Sequence, residues 1–188
     1  MYNLILFGPP GAGKGTQAVK IAAQYGWKHI STGDILRSEV SRGTPLGLKV
    51  REVMDAGHLV SDELLIEIME SVFIGNSDAK GFVLDGFPRT LNQARELDRM
   101  LERYNRKVTR VLALTVDEEE LVKRILKRAQ EQGRQDDSEE AVKNRLIQYH
   151  HHTEALIDYY KNAGIFRELY GIGTVEEIFD QLCTAIDA

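Results

Sequence analysis

Gly8-Pro9-Pro10-Gly11-Ala12-Gly13-Lys14-Gly15-Thr16 stands between the apolar run Leu4-Ile5-Leu6-Phe7 and the helix-patterned segment Gln17 to Tyr25. Strand, glycine loop and helix N-terminus in that order admit few folds. Glycines let consecutive backbone N–H groups turn toward one point, and the helix dipole adds partial positive charge there, so the loop is predicted to cradle a polyphosphate. Its expected contacts are Gly11, Ala12, Gly13, Lys14, Gly15 and Thr16, with Lys14 a point charge on the outer phosphates and Thr16 a hydroxyl at the exit. A glycine-rich surface turn explains neither the Lys nor the flanking strand and helix. The usual pattern has Ser or Thr straight after the Lys, whereas Gly15 intervenes here.

Down the chain, short apolar runs alternate with longer amphipathic segments, the pattern of an α/β protein with a mostly parallel sheet covered by helices. Strands are predicted at Tyr2 to Phe7, Trp27 to Ile30, Gly81 to Asp85, Val108 to Thr115 and Ile165 to Leu169. Helices are predicted at Gln17 to Tyr25, Thr90 to Tyr104, Asp117 to Gln132, Asp137 to Ala163 and Val175 to Ile186. Ser31 to Asn76 holds about three helix-like pieces and no clear strand, and reads as an inserted lobe. With 188 residues, 43% of them hydrophobic, the chain suffices for a single domain with a sizeable core. A net charge of -5 argues against non-specific nucleic-acid binding, so an anion site has to be a local concentration of Arg and Lys. The one cysteine, Cys183, excludes internal disulfides and a four-cysteine zinc site, and fits a reduced, cytoplasmic setting. Neither a signal peptide nor a membrane-spanning run is expected.

In an open parallel sheet the ligand crevice lies at the carboxyl ends of the strands, so residues just after each strand share one site. Those residues are Ser31-Thr32-Gly33-Asp34-Ile35-Leu36-Arg37, then Leu84-Asp85-Gly86-Phe87-Pro88-Arg89-Thr90, then Gly171-Ile172-Gly173. Taken alone, Ser31 or Thr32 is as well explained as a helix N-cap and Arg37 as a solvated side chain. Asp85 ends an apolar strand beside the phosphate loop, where a carboxylate can hold magnesium directly or through water. Arg89 follows Pro88, which fixes the turn and aims the guanidinium for bidentate phosphate contact. Arg124 and Arg128, four apart on a predicted helix, share a face. Arg134 and Arg145 flank Asp136-Asp137-Ser138-Glu139-Glu140, which reads as a helix start capped by Asp136 or Asp137. Any one of these arginines suits an ordinary surface ion pair. Together they suit phosphoryl transfer between two anionic nucleotides, where the reacting oxygens repel and charge spreads over the group in flight.

The loop Gly8 to Ala18, Ser31 to Arg37 and Leu84 to Thr90 closely resemble the adenylate kinases, and the likeness runs along essentially the whole chain. The resemblance implies an α/β P-loop NTPase with a sheet of about five strands flanked by helices, an inserted helical lobe for the nucleoside monophosphate (NMP) at residues 31–60, and a very short lid at 127–137. It implies ATP on the phosphate loop, with Arg128 on its phosphates and the Gly173 carbonyl at its adenine. It places AMP among Thr32, Arg37, Gly86, Phe87, Pro88, Arg89 and Gln93, with Gly57-His58-Leu59-Val60 as one wall of the base pocket. Arg89, Arg124, Arg134 and Arg145 then face the transferring phosphates, Arg134 and Arg145 reaching the AMP side, and Lys14 completes the catalytic set. The implied reaction is ATP + AMP ⇌ 2 ADP, with magnesium carried on the triphosphate, no zinc, no nucleic-acid or membrane partner, and a cytoplasmic monomer as the working form. His58 departs from the Lys common in bacterial relatives, a change without consequence if the backbone makes the contact. Gln93 is expected to read the adenine edge, because an amide offers an acceptor and a donor in one plane.

Only Ala129 to Gln135 separate Arg128 from Asp136, too few residues for the β-rich and sometimes zinc-bearing lid of many relatives. Consecutive histidines on a helix point in different directions, so His150-His151-His152 is not expected to be a ligand set. Cys183 among Phe179, Leu182 and Ile186 reads as a packed or half-exposed thiol, and Trp27 as packing beside the second strand. Two alternatives compete. A UMP/CMP kinase also has a short lid, but Thr32 and Gln93 speak against it. A non-catalytic nucleotide-binding regulator leaves the arginines without a purpose, and the chain holds no Asn-Lys-x-Asp guanine motif.

Overall fold

A computed structural model describes residues 1–132 and 134–188. Five parallel strands, β1 (Tyr2–Phe7), β2 (Lys28–Ser31), β3 (Gly81–Asp85), β4 (Arg110–Thr115) and β5 (Phe166–Tyr170), lie in the order β2-β3-β1-β4-β5. β1 is central, with Leu4 opposite Val83 on one side and Ile5 opposite Val111 on the other. Helices cover both faces of this sheet, so the inner strands carry unbroken apolar runs, Leu4–Phe7, Phe82–Leu84 and Val111–Leu114, whose successive residues feed opposite cores. Ile5, Phe7, Phe82, Leu84, Val111 and Ala113 enter one core; Leu4, Leu6, Val83, Leu112 and Leu114 enter the other.

The first core is closed by α4 (Asp62–Gly75), α5 (Leu91–Glu102) and α8 (Ala155–Asn162), the second by α1 (Lys14–Tyr25), α6 (Glu118–Gln132) and α9 (Val175–Asp187). Within the Ser31 to Asn76 block, α2 (Thr32–Ser41) and α3 (Pro45–Asp55) pack on each other, but α4 belongs to the main body, with Phe73 edge-on to Phe82 at 4.9 Å. Trp27 sits just before β2, stacked between Tyr2 and Tyr25 with ring centroids 4.6 Å away on each side. Cys183 is half-buried on α9.

The predicted helix Asp137 to Ala163 is three pieces: α7 (Glu139–Gln148), a π-helical turn at Tyr149–Thr153, and α8. In that turn the Glu154 N–H reaches the Tyr149 carbonyl, five residues back, at 3.1 Å. Neither Asp136 nor Asp137 caps α7. Ser138 does, its hydroxyl accepting from the Ala141 N–H at 3.2 Å, while residues 135–137 form a separate 3-10 turn. The aspartates are drawn to arginines instead.

The strand order reverses at β1, since β3 and β2 lie to one side and β4 and β5 to the other. A crevice opens at such a point at the carboxyl ends, and there the loops after β1, β2 and β3 meet.

Candidate active site

α1 begins at Lys14 behind Gly13, whose φ of 90° is left-handed, and no side chain caps it. Its first N–H groups are therefore left for an anion, which the helix dipole also favours. The loop is pressed against α6: a Cβ at Gly11, where φ is +86°, would stand 2.9 Å from Ile125 Cγ1 and 3.0 Å from the Leu121 carbonyl. Lys14 Nζ donates to the carbonyls of Gly8 at 2.7 Å and Pro9 at 3.0 Å. Burial pushes its ammonium pKa down to about 8; nearby Asp85 opposes this, while Arg89, Arg145 and Arg128 add to it. Thr16, one residue later than the usual hydroxyl, is exposed. Behind the loop, buried Gln17 donates to the Val175 carbonyl at 2.9 Å and ties α1 to α9.

One cleft adjoins the loop, and a second shares a wall with the first. One, of about 530 Å³, is bounded by Gly8, Pro10, Lys14, Gly86, Pro88, Gln148, Tyr149 and Thr153. The other, of about 480 Å³, is bounded by Thr32, Gly33, Leu36, Arg37, Met54, His58, Val60, Leu65 and Asp136. Gly57, Leu59, Arg89 and Arg145 line both. Gly57, at φ +75°, admits the close approach of the second cleft's wall to α7, since a Cβ there would collide with the Ala141 carbonyl. Thr32 Oγ1 and Arg89 Nε both donate to the Gly86 carbonyl at 2.9 Å, joining the end of β2 to the loop after β3. Phe87 is buried behind that loop.

Carboxylates hold the arginines in a chain. Arg128 is bidentate to Asp137 at 2.7 and 2.6 Å, and Arg145 reaches Asp137 at 2.9 Å and Asp136 at 3.5 Å. Arg37 pairs with Asp34 at 2.6 Å and Asp136 at 3.4 Å, and Arg134 stands 3.9 Å from Asp34. Burial lowers the pKa of Arg89, Arg145 and Arg134. Arg124 turns to Glu120 at 2.8 Å and to the Gly171 carbonyl at 3.1 Å, in the same loop as the exposed, positive-φ Gly173. Arg124, Arg128 and Arg134 do not line the two clefts, whereas Arg37, Arg89 and Arg145 do.

Gln93 is fully buried and lines neither cleft. Its Oε1 accepts from the Arg89 N–H and its Nε2 donates to Asp62, each at 2.7 Å. Each end of the amide keeps one further hydrogen-bonding capacity. Asp85 is nearly buried, its Oδ2 4.0 Å from His29 Nε2. Among the described residues no group of three or more His, Cys, Asp or Glu could hold a metal ion. His150 instead pairs with Glu154 at 2.8 Å and Glu118 at 3.7 Å, and all three histidines are exposed. Gln148, Tyr149, Thr153 and Asp62 carry no sequence signal, since the first three fall in a run that reads as unbroken helix. Thr153 Oγ1 reaches the Arg89 carbonyl at 3.2 Å only because the π turn carries it round.

The adenylate kinase family model matches residues 6–165. The chain belongs to the adenylate kinase family. It is 46% identical over 187 residues to an adenylate kinase of Bacteroides fragilis, covering 100% of this chain and 99% of that one. To that of Leptospira biflexa it is 48% identical over 186 residues, covering 99% and 100%, and to that of Thermus thermophilus 46% over 183, covering 97% and 96%. The protein is therefore an enzyme, a nucleoside monophosphate kinase with adenylate kinase function. Among the described residues no helix is long and apolar enough to cross a membrane.

With a nucleotide's phosphates on the loop, Lys14 is expected to set a pH dependence of binding. A bound polyphosphate favours the ammonium and raises its pKa above the free value of about 8, so binding above that pH takes up a proton. Nucleotide affinity is expected to be constant below pH 8 and to weaken by up to about tenfold per unit above it. Calorimetry of ATP binding in two buffers of different ionisation heat checks this. Proton uptake near pH 9 that vanishes in Lys14→Met is the expected result, and equal apparent heats in the two buffers would refute it.

Proposed function

We propose that ATP lies on the phosphate loop and AMP in the second cleft, and that the reaction is ATP + AMP ⇌ 2 ADP by direct in-line transfer. The observation that supports this reading best is the shared wall: Arg89 and Arg145 line both clefts, so both cations face the region between the two nucleotides. Two polyanions there repel strongly, and fixed guanidinium groups offset that repulsion most where charge spreads over the moving phosphoryl group. Lys14 holds the outer phosphates of ATP, with Gly11, Ala12, Gly13, Gly15 and Thr16 around them, and Gly173 meets the adenine. Arg37 and Arg89 fix the AMP phosphate, and Thr32, His58, Leu59 and Val60 enclose its base with Gln93 at the edge.

Residues 127–137, of which residue 133 lies outside the described residues, act as a short lid that brings Arg134 and Arg128 onto the phosphates while residues 31–60 close over AMP, and Arg124 supports the phosphates from α6. Closure excludes the water that would otherwise hydrolyse ATP. Lid closure in adenylate kinases is itself a standard example of such gating. The donor set fits magnesium carried mainly by the triphosphate, since Asp85 stands beside the loop without two further acids to complete a protein cage. Asp85 would hold it through water, and the ion would neutralise phosphate charge there. The substrates complete a site built within one chain, and the enzyme works as a cytoplasmic monomer.

Initial rates with AMP, CMP, UMP and GMP test the reading. A bidentate amide contact is worth about 1–3 kcal/mol, so Gln93→Ala is expected to weaken AMP use by roughly tenfold to a hundredfold with ATP nearly unaffected. Wild-type use of CMP or UMP as good as that of AMP would favour the UMP/CMP alternative, and a loss confined to ATP would remove Gln93 from the monophosphate site.

A further inference from the structure

Asp62 stands at the first turn of α4, outside both clefts, yet three side chains converge on its carboxylate. Its Oδ1 accepts from Gln93 Nε2 at 2.7 Å; its Oδ2 accepts from Thr90 Oγ1 at 2.8 Å and from Asn92 Nδ2 at 3.0 Å. Thr90 in turn caps α5, its hydroxyl accepting from the Gln93 N–H at 3.2 Å. Both the backbone and the side chain of Gln93 are thus tied to the Thr90–Asp62 pair.

An amide can be placed either way round, and here the neighbours decide. A carboxylate only accepts, so the end of Gln93 facing Asp62 is the NH2; a backbone N–H only donates, so the end facing Arg89 is the oxygen. Turned over, the amide would set oxygen against carboxylate and NH2 against N–H, leaving four polar groups repelled or unpaired, two of them on the fully buried Gln93.

We propose that Asp62 is a specificity-determining positioning residue: by fixing which way round the Gln93 amide lies, it sets the kinase to accept a 6-amino purine monophosphate and to reject a 6-oxo one. This rests on the reading that Gln93 faces the base of the monophosphate. Adenine presents a donor at its exocyclic nitrogen beside an acceptor at the ring nitrogen; a 6-oxo purine presents the reverse. An amide held one way round matches only the first. Asn at position 62 offers both a donor and an acceptor, so it no longer forbids the reversed amide.

The test compares kcat/KM for AMP and for inosine 5'-monophosphate in the wild type, Asp62→Asn, Gln93→Ala and the double variant, with the KM for ATP and thermal melting alongside. Asp62→Asn is expected to raise the KM for AMP and narrow the AMP-to-IMP ratio by about tenfold, the scale of one bidentate base contact, with the KM for ATP unchanged. In the Gln93→Ala background the same substitution is expected to change the ratio little, because the group through which it acts is gone. Asp62→Ser, which suits a helix start but is too short to reach the amide, serves if Asp62→Asn folds poorly, and is expected to narrow the ratio likewise. An unchanged ratio with a lowered melting temperature means that Asp62 only braces α4 against α5, and overturns the proposal. Equal narrowing with and without Gln93 overturns it too. If Gln93→Ala itself leaves the ratio intact, the assignment of Gln93 to the base falls first, and the proposal with it.

Discussion

Lys14→Met is expected to lower turnover at least about 100-fold and to leave the fold intact, the scale for losing one preorganised charge contact to a transition state. The ammonium is held by two loop carbonyls, and among the described residues no second lysine lines the adjoining cleft. Folding does not depend on it. The folded-state pKa lies below that of an unperturbed lysine, at about 8 against 10.5, so the folded chain binds that proton less readily than the unfolded one. The charged Lys therefore costs stability below pH 8, and the cost fades as pH rises from 8 toward 10.5. Met keeps the stem without the charge, and melting at neutral pH is expected to be unchanged or slightly raised. Turnover within a few-fold of wild type, in protein that melts normally, would remove Lys14 from the site.

Arg145→Ala and Arg89→Ala are each expected to cut phosphoryl transfer by about 100- to 1,000-fold. Each lines both clefts, which no other Arg or Lys among the described residues bounding them does, so no neighbour replaces either charge at the shared wall. Loss of Arg145 also leaves Asp136 and Asp137 with one fewer cation, turning part of the site negative just where phosphates must approach. The fold tolerates the change because Arg128 still holds Asp137 with two short bonds. Arg42, whose side chain is 65% exposed and pairs with Glu39 three residues back, is the control, and Arg42→Ala should do little. Steady-state rates for the three variants, with melting curves alongside, decide the matter. Similar rates for all three would mean that the cleft-lining arginines are not distinguished from surface ones.

The sheet and the phosphate loop were legible in the sequence because their causes are local. Residues buried on both faces have to be apolar at successive positions, and Leu4-Ile5-Leu6-Phe7 and Val111-Leu112-Ala113-Leu114 can be little else. Strand ends slipped by a residue or two, as with Trp27 in place of Lys28 at β2 and Val108 in place of Arg110 at β4, since frayed ends carry no period. Gly11 and Gly13 announced a left-handed backbone that other residues rarely adopt. Three motifs sufficed for the family.

What tertiary structure alone decided is how side chains distant in sequence divide one another's charges and hydrogen bonds. Asp136 and Asp137 read as caps because acids favour helix starts, yet salt bridges to arginines on three elements outbid that local preference, and Ser138 took the cap. The π turn at Tyr149–Thr153 was not legible in the sequence, since the one-position shift it makes between the faces of α7 and α8 falls between segments of only 10 and 8 residues, but it carries Thr153 to the Arg89 carbonyl. Asp62 was invisible for the same reason: one acid in an acidic first turn has an ordinary local explanation. Only the approach of α4 to α5 shows that its carboxylate fixes the amide of Gln93, 31 residues away. Periodicity and steric rules act between neighbours in the chain and can be read from it. The pairing of polar groups is a competition among all that meet in space, and its outcome exists only once the chain has folded.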